Sequence, residues 1–285
     1  MVGTPPGTPG ASGTPVSPGR TGGPGTAAET GAVDAPSWPV VLRTELTRLR
    51  RGFPLWYSVL LPAFLILPLG LITAFSPEAQ AGRAWDTWIQ VVLMFWGVLL
   101  PMSAALYAGV AERQDDDARR LLYTYAFPRS RLLIGKFLAL AVLSLVSAFL
   151  LIAFFLLLGA GLGQTGGLGK IAVGTLVPWA AFLGALALCL VITNAWGFTA
   201  TMCTGVAGMM FGALLADKVV WWVIPLAWPM RMVVPIAGIE ASGVPLPDHH
   251  PLNDLTVLPV GVGMSLALAA VLLAVGARYV NRKEL

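Results

Sequence analysis

Six apolar segments, near residues 55–75, 88–110, 132–158, 172–196, 198–216 and 256–278, limit what this chain can fold into. Each is close to or above the ~20 residues a helix needs to cross ~30 Å of hydrocarbon. Lipid offers no hydrogen bond to a bare backbone, so segments of this kind must bond internally as helices. The prediction is an all-α membrane protein with six transmembrane helices. Apolar residues make up 56% of the chain and charged ones only 11%, which excludes the soluble globular classes. A net charge of +4 is what cytoplasmic loops of such a protein collect, so nucleic acid is not an implied partner. Pro62, Pro68, Pro101 and Pro178 fall inside the segments, where neighbouring helices tolerate a kink.

Basic residues set the orientation. With the N-terminus in the cytoplasm, six spans return the C-terminus there, and 14 of the 18 Lys and Arg face that side. Only Arg83, Lys170, Lys218 and Arg231 fall outside. The expected location is the cytoplasmic (plasma) membrane.

Residues 1–38 are Pro, Gly, Thr, Ser and Ala with hardly an aliphatic side chain, a composition that predicts a disordered tail ahead of a six-helix domain over 39–285. They lack the basic and apolar regions of a cleavable signal. Then Leu42, Leu46, Leu49 and Phe53 recur every three or four residues, with Arg43, Arg48, Arg50 and Arg51 mostly opposite. That pattern predicts an amphipathic interfacial helix lying on an anionic leaflet before span one. The uncharged turn 193–199 reads as a tight hairpin between spans four and five. Residues 217–255 carry Trp221, Trp222, Trp228, Arg231 and six prolines, and read as a partly re-entrant outer segment rather than a seventh span.

Enzyme chemistry finds no foothold. Gly161-Leu-Gly163-Gln-Thr-Gly166 matches G-x-G-x-x-G but follows a long apolar helix, and Gly169-Lys170 is followed by Ile171 where a phosphate loop needs Ser or Thr. Asp248-His249-His250 with Asp254 reads as a solvated Pro-rich loop, not a metal site. Cys189 and Cys203 lie inside apolar runs as small hydrophobes. No cofactor or catalytic residue is expected, and no intramembrane carboxylate suggests proton coupling.

The densest charge cluster is 111–136, between the second and third spans. Arg residues alone would hold topology, so the acidic block Asp115, Asp116, Asp117 is surplus to that need. Acids early, Arg119 and Arg120 later, and Leu121, Leu122 and Tyr125 on an apolar side predict a short docking helix that Pro128 stops.

From about residue 40 onward the chain resembles the permease subunits of type-2 ABC exporters, in particular the lantibiotic-immunity and multidrug-export group. The residues that carry the likeness are the basic amphipathic segment before span one, Glu112 opening the first cytoplasmic loop, and Leu121-Leu122 followed by Pro128-Arg129-Ser130-Arg131 and Lys136. The Trp/Pro-rich run from Trp222 to Arg231 belongs to it as well. The resemblance implies a coupling helix (Glu112, Arg113, Asp115, Asp116, Asp117, Arg119, Arg120, Leu121, Leu122) held by a cytoplasmic ABC ATPase subunit. It implies a second permease chain, homodimeric or paralogous, and export of a hydrophobic or amphipathic substrate such as a peptide antibiotic, drug or lipid. ATP hydrolysis would sit on the separate subunit. The alternatives are a non-transporting membrane scaffold and an ion-coupled secondary transporter.

Overall fold

The computed structural model describes residues 3, 37–50, 52–75, 81–116, 129–164, 166–247 and 249–282. Of the predicted tail over 1–38, only Gly3, Ser37 and Trp38 lie among the described residues, and Trp38 already opens a helix. The described residues form seven α-helices: α1 Trp38–Leu49, α2 Phe53–Ala74, α3 Ala81–Asp116, α4 Arg129–Gly161, α5 Leu168–Ala216, α6 Trp228–Ala237 and α7 Val257–Arg282. Among the described residues there is no β-strand, only an isolated bridge between Ile239 and Pro245.

Five of these helices are long and apolar enough to cross a membrane: α2, α3, α4, α5 and α7. The 49 residues of α5 would measure ~73 Å if straight, more than twice a hydrocarbon core. It is not straight. Gly197 has φ 83 and ψ −175, a conformation that L side chains scarcely enter, and the backbone breaks there. Contacts with α3 give the direction of each leg. On the first leg Gly167 lies by Ile89, the Thr175 carbonyl accepts from Trp96 Nε1 at 3.2 Å, and Phe198 beyond the break meets Arg113. The second leg returns along the same helix, with Met202 at Gly109, Gly205 at Ala105 and Met102, and Gly208 at Pro101. The uncharged hairpin expected over 193–199 is this reversal, and the Thr193 and Thr201 hydroxyls bond across it at 2.7 Å.

Two ends of the bundle follow from such contacts. At the near end Gly52 meets Gln114, Lys136 bonds Glu112, and Gly276 touches Leu133 and Val191. At the far end Gly70 meets Leu158, and Trp85 Nε1 donates to the Gly166 carbonyl at 3.1 Å. Midway, buried hydroxyls join α2 to α3: Tyr57 to Ser103 at 2.8 Å and Ser58 to Tyr107 at 2.7 Å. Ser265 of α7 accepts from the Gly184 N–H at 2.8 Å and donates to the Ala181 carbonyl at 2.8 Å. Each pairing satisfies a polar group where lipid could not.

Two sequence expectations shift. The helices overrun the apolar segments, so Glu112 and Arg113 are not in a loop: α3 continues through them to Asp116, and α4 already begins at Arg129. The physical reason is burial, because Ala108, Ala111 and Glu112 remain packed and each further turn adds a backbone hydrogen bond. Asp115 and Asp116 therefore close a helix rather than open one. In α1 the buried stripe is Val41, Glu45 and Leu49, one residue off the predicted one; Leu42 and Leu46 are half-buried and Phe53 is exposed on α2.

Residues 217–255 contain α6, only ten residues or ~15 Å long and buried almost throughout. The chain leaves α5 at Asp217, whose Oδ2 accepts the Ala241 N–H at 2.8 Å, and passes through 3-10 turns at Val219–Val223 and Pro225–Ala227. It returns into the bundle with Leu226 against Gly208 and Gly212, then Met230 and Val233 against Gly97. The helix ends with the Ala237 carbonyl held by Gln90 Nε2 at 3.1 Å and Lys170 Nζ at 3.0 Å. Between Gln90 and Gly97 lie about 10 Å of α3, so α6 dips to that depth below the far end.

This close backbone approach makes a prediction. A methyl group on Gly212 would sit 2.6 Å from the Leu226 carbonyl oxygen, a backbone atom that cannot swing aside. Gly212→Ala is therefore expected to cost about 1–3 kcal/mol, read as a lower melting temperature in detergent. Gly263→Ala, where nothing lies within 4 Å, should leave it unchanged or raise it.

Candidate functional site

The near end gathers the charged residues singled out in the sequence. Glu112 in the penultimate turns of α3 accepts from Lys136 Nζ in the first turns of α4, with both side chains 9% exposed. The pair ties together the two helices that flank residues 117–128. Taking two charges out of water is costly unless they meet closely, and here they do. At the next residue, the Arg113 guanidinium lies 4.6 Å from the centroid of the Phe198 ring, immediately after the Gly197 break. The end of α3 thus bears on the α5 reversal as well as on α4.

α1 packs across the start of α4. Val41 and Glu45 press on Gly135, and Arg131 lies 5.6 Å over the Trp38 ring. Glu45 is buried, with Arg48 3.7 Å away one turn later. Arg43 and Arg50 are exposed and Arg48 is half-buried. Arg43, Thr44, Thr47 and Arg48 line an open basin of about 670 Å³. The Thr44 and Thr47 hydroxyls donate to their own helix at 2.8 and 2.7 Å, so their remaining lone pairs face outward.

Of the predicted coupling residues, the structure brings Glu112 and Arg113 to this end and carries the backbone of Asp115 and Asp116 there. Asp117, Arg119, Arg120, Leu121, Leu122 and Arg51 lie outside the described residues. Sequence reasoning did not pair Glu112 with Lys136, nor Arg113 with Phe198. The available signal was a lone acid and a lone base flanking the junctions of two apolar spans. Phe198 carried none.

The far end holds a second polar group. Arg231 on α6 is 4% exposed. Its Nη1 donates to the Leu252 carbonyl at 3.5 Å, at the limit of a hydrogen bond, and its guanidinium lies 5.7 Å from the centroid of the Trp221 ring. No carboxylate lies within 4.0 Å among the described residues, and its buried Nε has no hydrogen-bond partner. Burial pushes the nearby Asp217 carboxyl up from its usual range, against the opposing pull of the Ala241 N–H, and its Oδ1 also lacks a partner. A buried guanidinium without a contact anion costs several kcal/mol.

Among the described residues, which leave out Asp248, no group of three or more His, Cys, Asp and Glu could hold a metal ion. His249 is exposed, and His250 Nδ1 accepts from the Leu252 N–H, capping the turn Pro251–Asn253.

The sequence profile of the ABC-2 family transporter proteins matches residues 41–216, from α1 through both legs of α5. The chain belongs to that family. No curated protein and no solved structure matches it. It is thus a multi-pass membrane permease subunit of an ABC-2 transporter, a transmembrane component that is not itself catalytic. Permeases of the family generally work with a cytoplasmic ABC ATPase in the membrane. The matched region ends where the re-entrant segment begins, so α6 and Arg231 stand beyond it.

Proposed function

We propose that this permease is the membrane half of an ATP-driven exporter in the cytoplasmic membrane, moving a hydrophobic or amphipathic substrate. The near end is the cytoplasmic face, where Glu112–Asp116 and the residues up to Leu122 dock a separate ATPase subunit. The observation that carries this reading is the buried Glu112–Lys136 pair at the foot of α3 and α4. A load applied to the chain between those helices is delivered to both at once, and through Arg113 and Phe198 to the α5 reversal. Shifting a two-state pathway from mostly closed to mostly open takes ~5.5 kcal/mol of differential binding, which a flexible attachment would dissipate.

The two legs of α5 are separate crossings in this reading, giving six spans with both termini cytoplasmic. α1 lies at the leaflet with Arg43, Arg48, Arg50 and Arg51 toward anionic headgroups. A second permease chain packs on the apolar ridge that α2 exposes through Trp56, Leu60, Phe64, Leu67 and Leu71.

The test is co-expression with a candidate ABC ATPase subunit. Asp115→Lys, Asp116→Lys and Asp117→Lys together are expected to cut co-purification of the ATPase at least tenfold and to abolish export, with the permease still inserted. Undiminished co-purification and export would remove the docking assignment.

A further inference from the structure

We propose that Arg231 is the centre of a binding site for the anionic group, carboxylate or phosphate, of an amphiphilic molecule at the far end of the bundle. This deepens the exporter reading by naming a substrate class, and it rests on that reading only for the role of the site in transport.

A guanidinium offers five N–H donors and no acceptor, so whatever completes its bonding must bring an acceptor, and of the possible acceptors an anion also offsets its charge. Here one carbonyl, Leu252, is engaged at 3.5 Å, and the buried Nε–H has no partner. Nε–H and an adjacent Nη–H form a parallel pair matched to the two oxygens of a carboxylate or phosphate. The surroundings favour such a guest. Trp221 covers one side of the cation and packs in an apolar cluster with Val177, Trp228, Met232, Val257 and Leu258, which offers a wall for a hydrocarbon tail. Leu252 and Trp221 are both half-buried, which puts the site at the edge of the re-entrant segment rather than sealed inside it.

The competing occupant is internal. Asp217 and Asp254 both act on Arg231 through space from beyond ion-pair distance. Asp254 is exposed with its oxygens held by Thr256, whereas Asp217 has a buried Oδ1 without a partner, so a local shift could join it to Arg231. The readings predict opposite signs. If Arg231 receives an external anion, removing the negative charge of Asp217 removes a competitor and strengthens binding. If Arg231 and Asp217 are one latch, removing either has the same effect.

The experiment uses the full chain, purified and delipidated in neutral maltoside micelles, with dodecyl phosphate, dodecanoate and dodecanol as probes followed by thermophoresis. Both anions are expected to bind saturably and dodecanol at least tenfold more weakly. Arg231→Gln should lower the affinity for the anions at least tenfold, Arg231→Lys by less, and Asp217→Asn should retain or tighten it. Equal binding of dodecanol, an unchanged Arg231→Gln variant, or equal losses in Arg231→Gln and Asp217→Asn would overturn the site. Should Arg231→Gln not be recovered folded, Asp217→Asn and Arg231→Lys decide it by the same signs.

Lipid extracted from the protein before delipidation separates the sources. Anionic lipid retained by the native chain and reduced in Arg231→Lys assigns the site to a resident headgroup. Binding of added anion without such retention assigns it to a passing molecule. Because the assay needs no ATPase, its failure leaves the exporter reading standing, and failure of ATPase docking leaves this site standing.

Discussion

Lys136→Met is expected to destabilise the folded permease by about 3–5 kcal/mol, the usual cost of stripping one partner from a buried ion pair. The substitution keeps the length and apolar stem of the side chain. What it removes is the ammonium that donates to Glu112 from the opposite helix. Glu112 then loses this partner while staying buried. The measurement is the melting temperature in detergent. Glu112→Leu combined with Lys136→Met should recover most of the loss, since replacing both charges removes the desolvation cost along with the attraction. A fully stable Lys136→Met would mean that the pair does not clamp α3 to α4. The mechanical role given to the near end would fall with it.

The second large effect is expected at Gly197. With φ 83 and ψ −175 it occupies backbone space that belongs almost wholly to glycine, so Gly197→Val should cost about 1–3 kcal/mol or more, with Gly197→Ala at the lower end. The consequence is not confined to stability. A β-branched residue there resists the reversal that brings Phe198 beneath Arg113 and Gly205 against Ala105. Folded yield and melting temperature should fall together, and export should fall further than either. A valine variant with native stability and transport would show that the two legs do not need this residue to turn.

Much of the architecture was legible because membrane helices obey a length rule that a linear sequence displays directly. The segments near 55–75, 88–110, 132–158 and 256–278 correspond to α2, α3, α4 and α7, and the hairpin between the remaining two was signalled by an uncharged gap. That 217–255 departs from a long apolar helix was legible too, from its prolines and Arg231. Helix ends were not. Whether α3 stops at Val110 or runs to Asp116 depends on tertiary packing, in which Glu112 meets Lys136, 24 residues away in sequence. Periodicity placed Leu42, Leu46 and Leu49 on one apolar face of α1; Leu49 is buried, but packing on Gly135 turned Val41 and Glu45 further inward than Leu42 and Leu46.

The sequence by itself therefore determined that this is a polytopic helical membrane protein. Hydrophobic length and charge bias are local, additive properties that need no knowledge of neighbours. Only the tertiary structure decided that Glu112 is spent on Lys136, that Arg113 meets Phe198, and that Arg231 lies buried without a carboxylate in contact. Each of those depends on which helix faces which. Burial fixes the free energy of a charge only once its neighbours are in place.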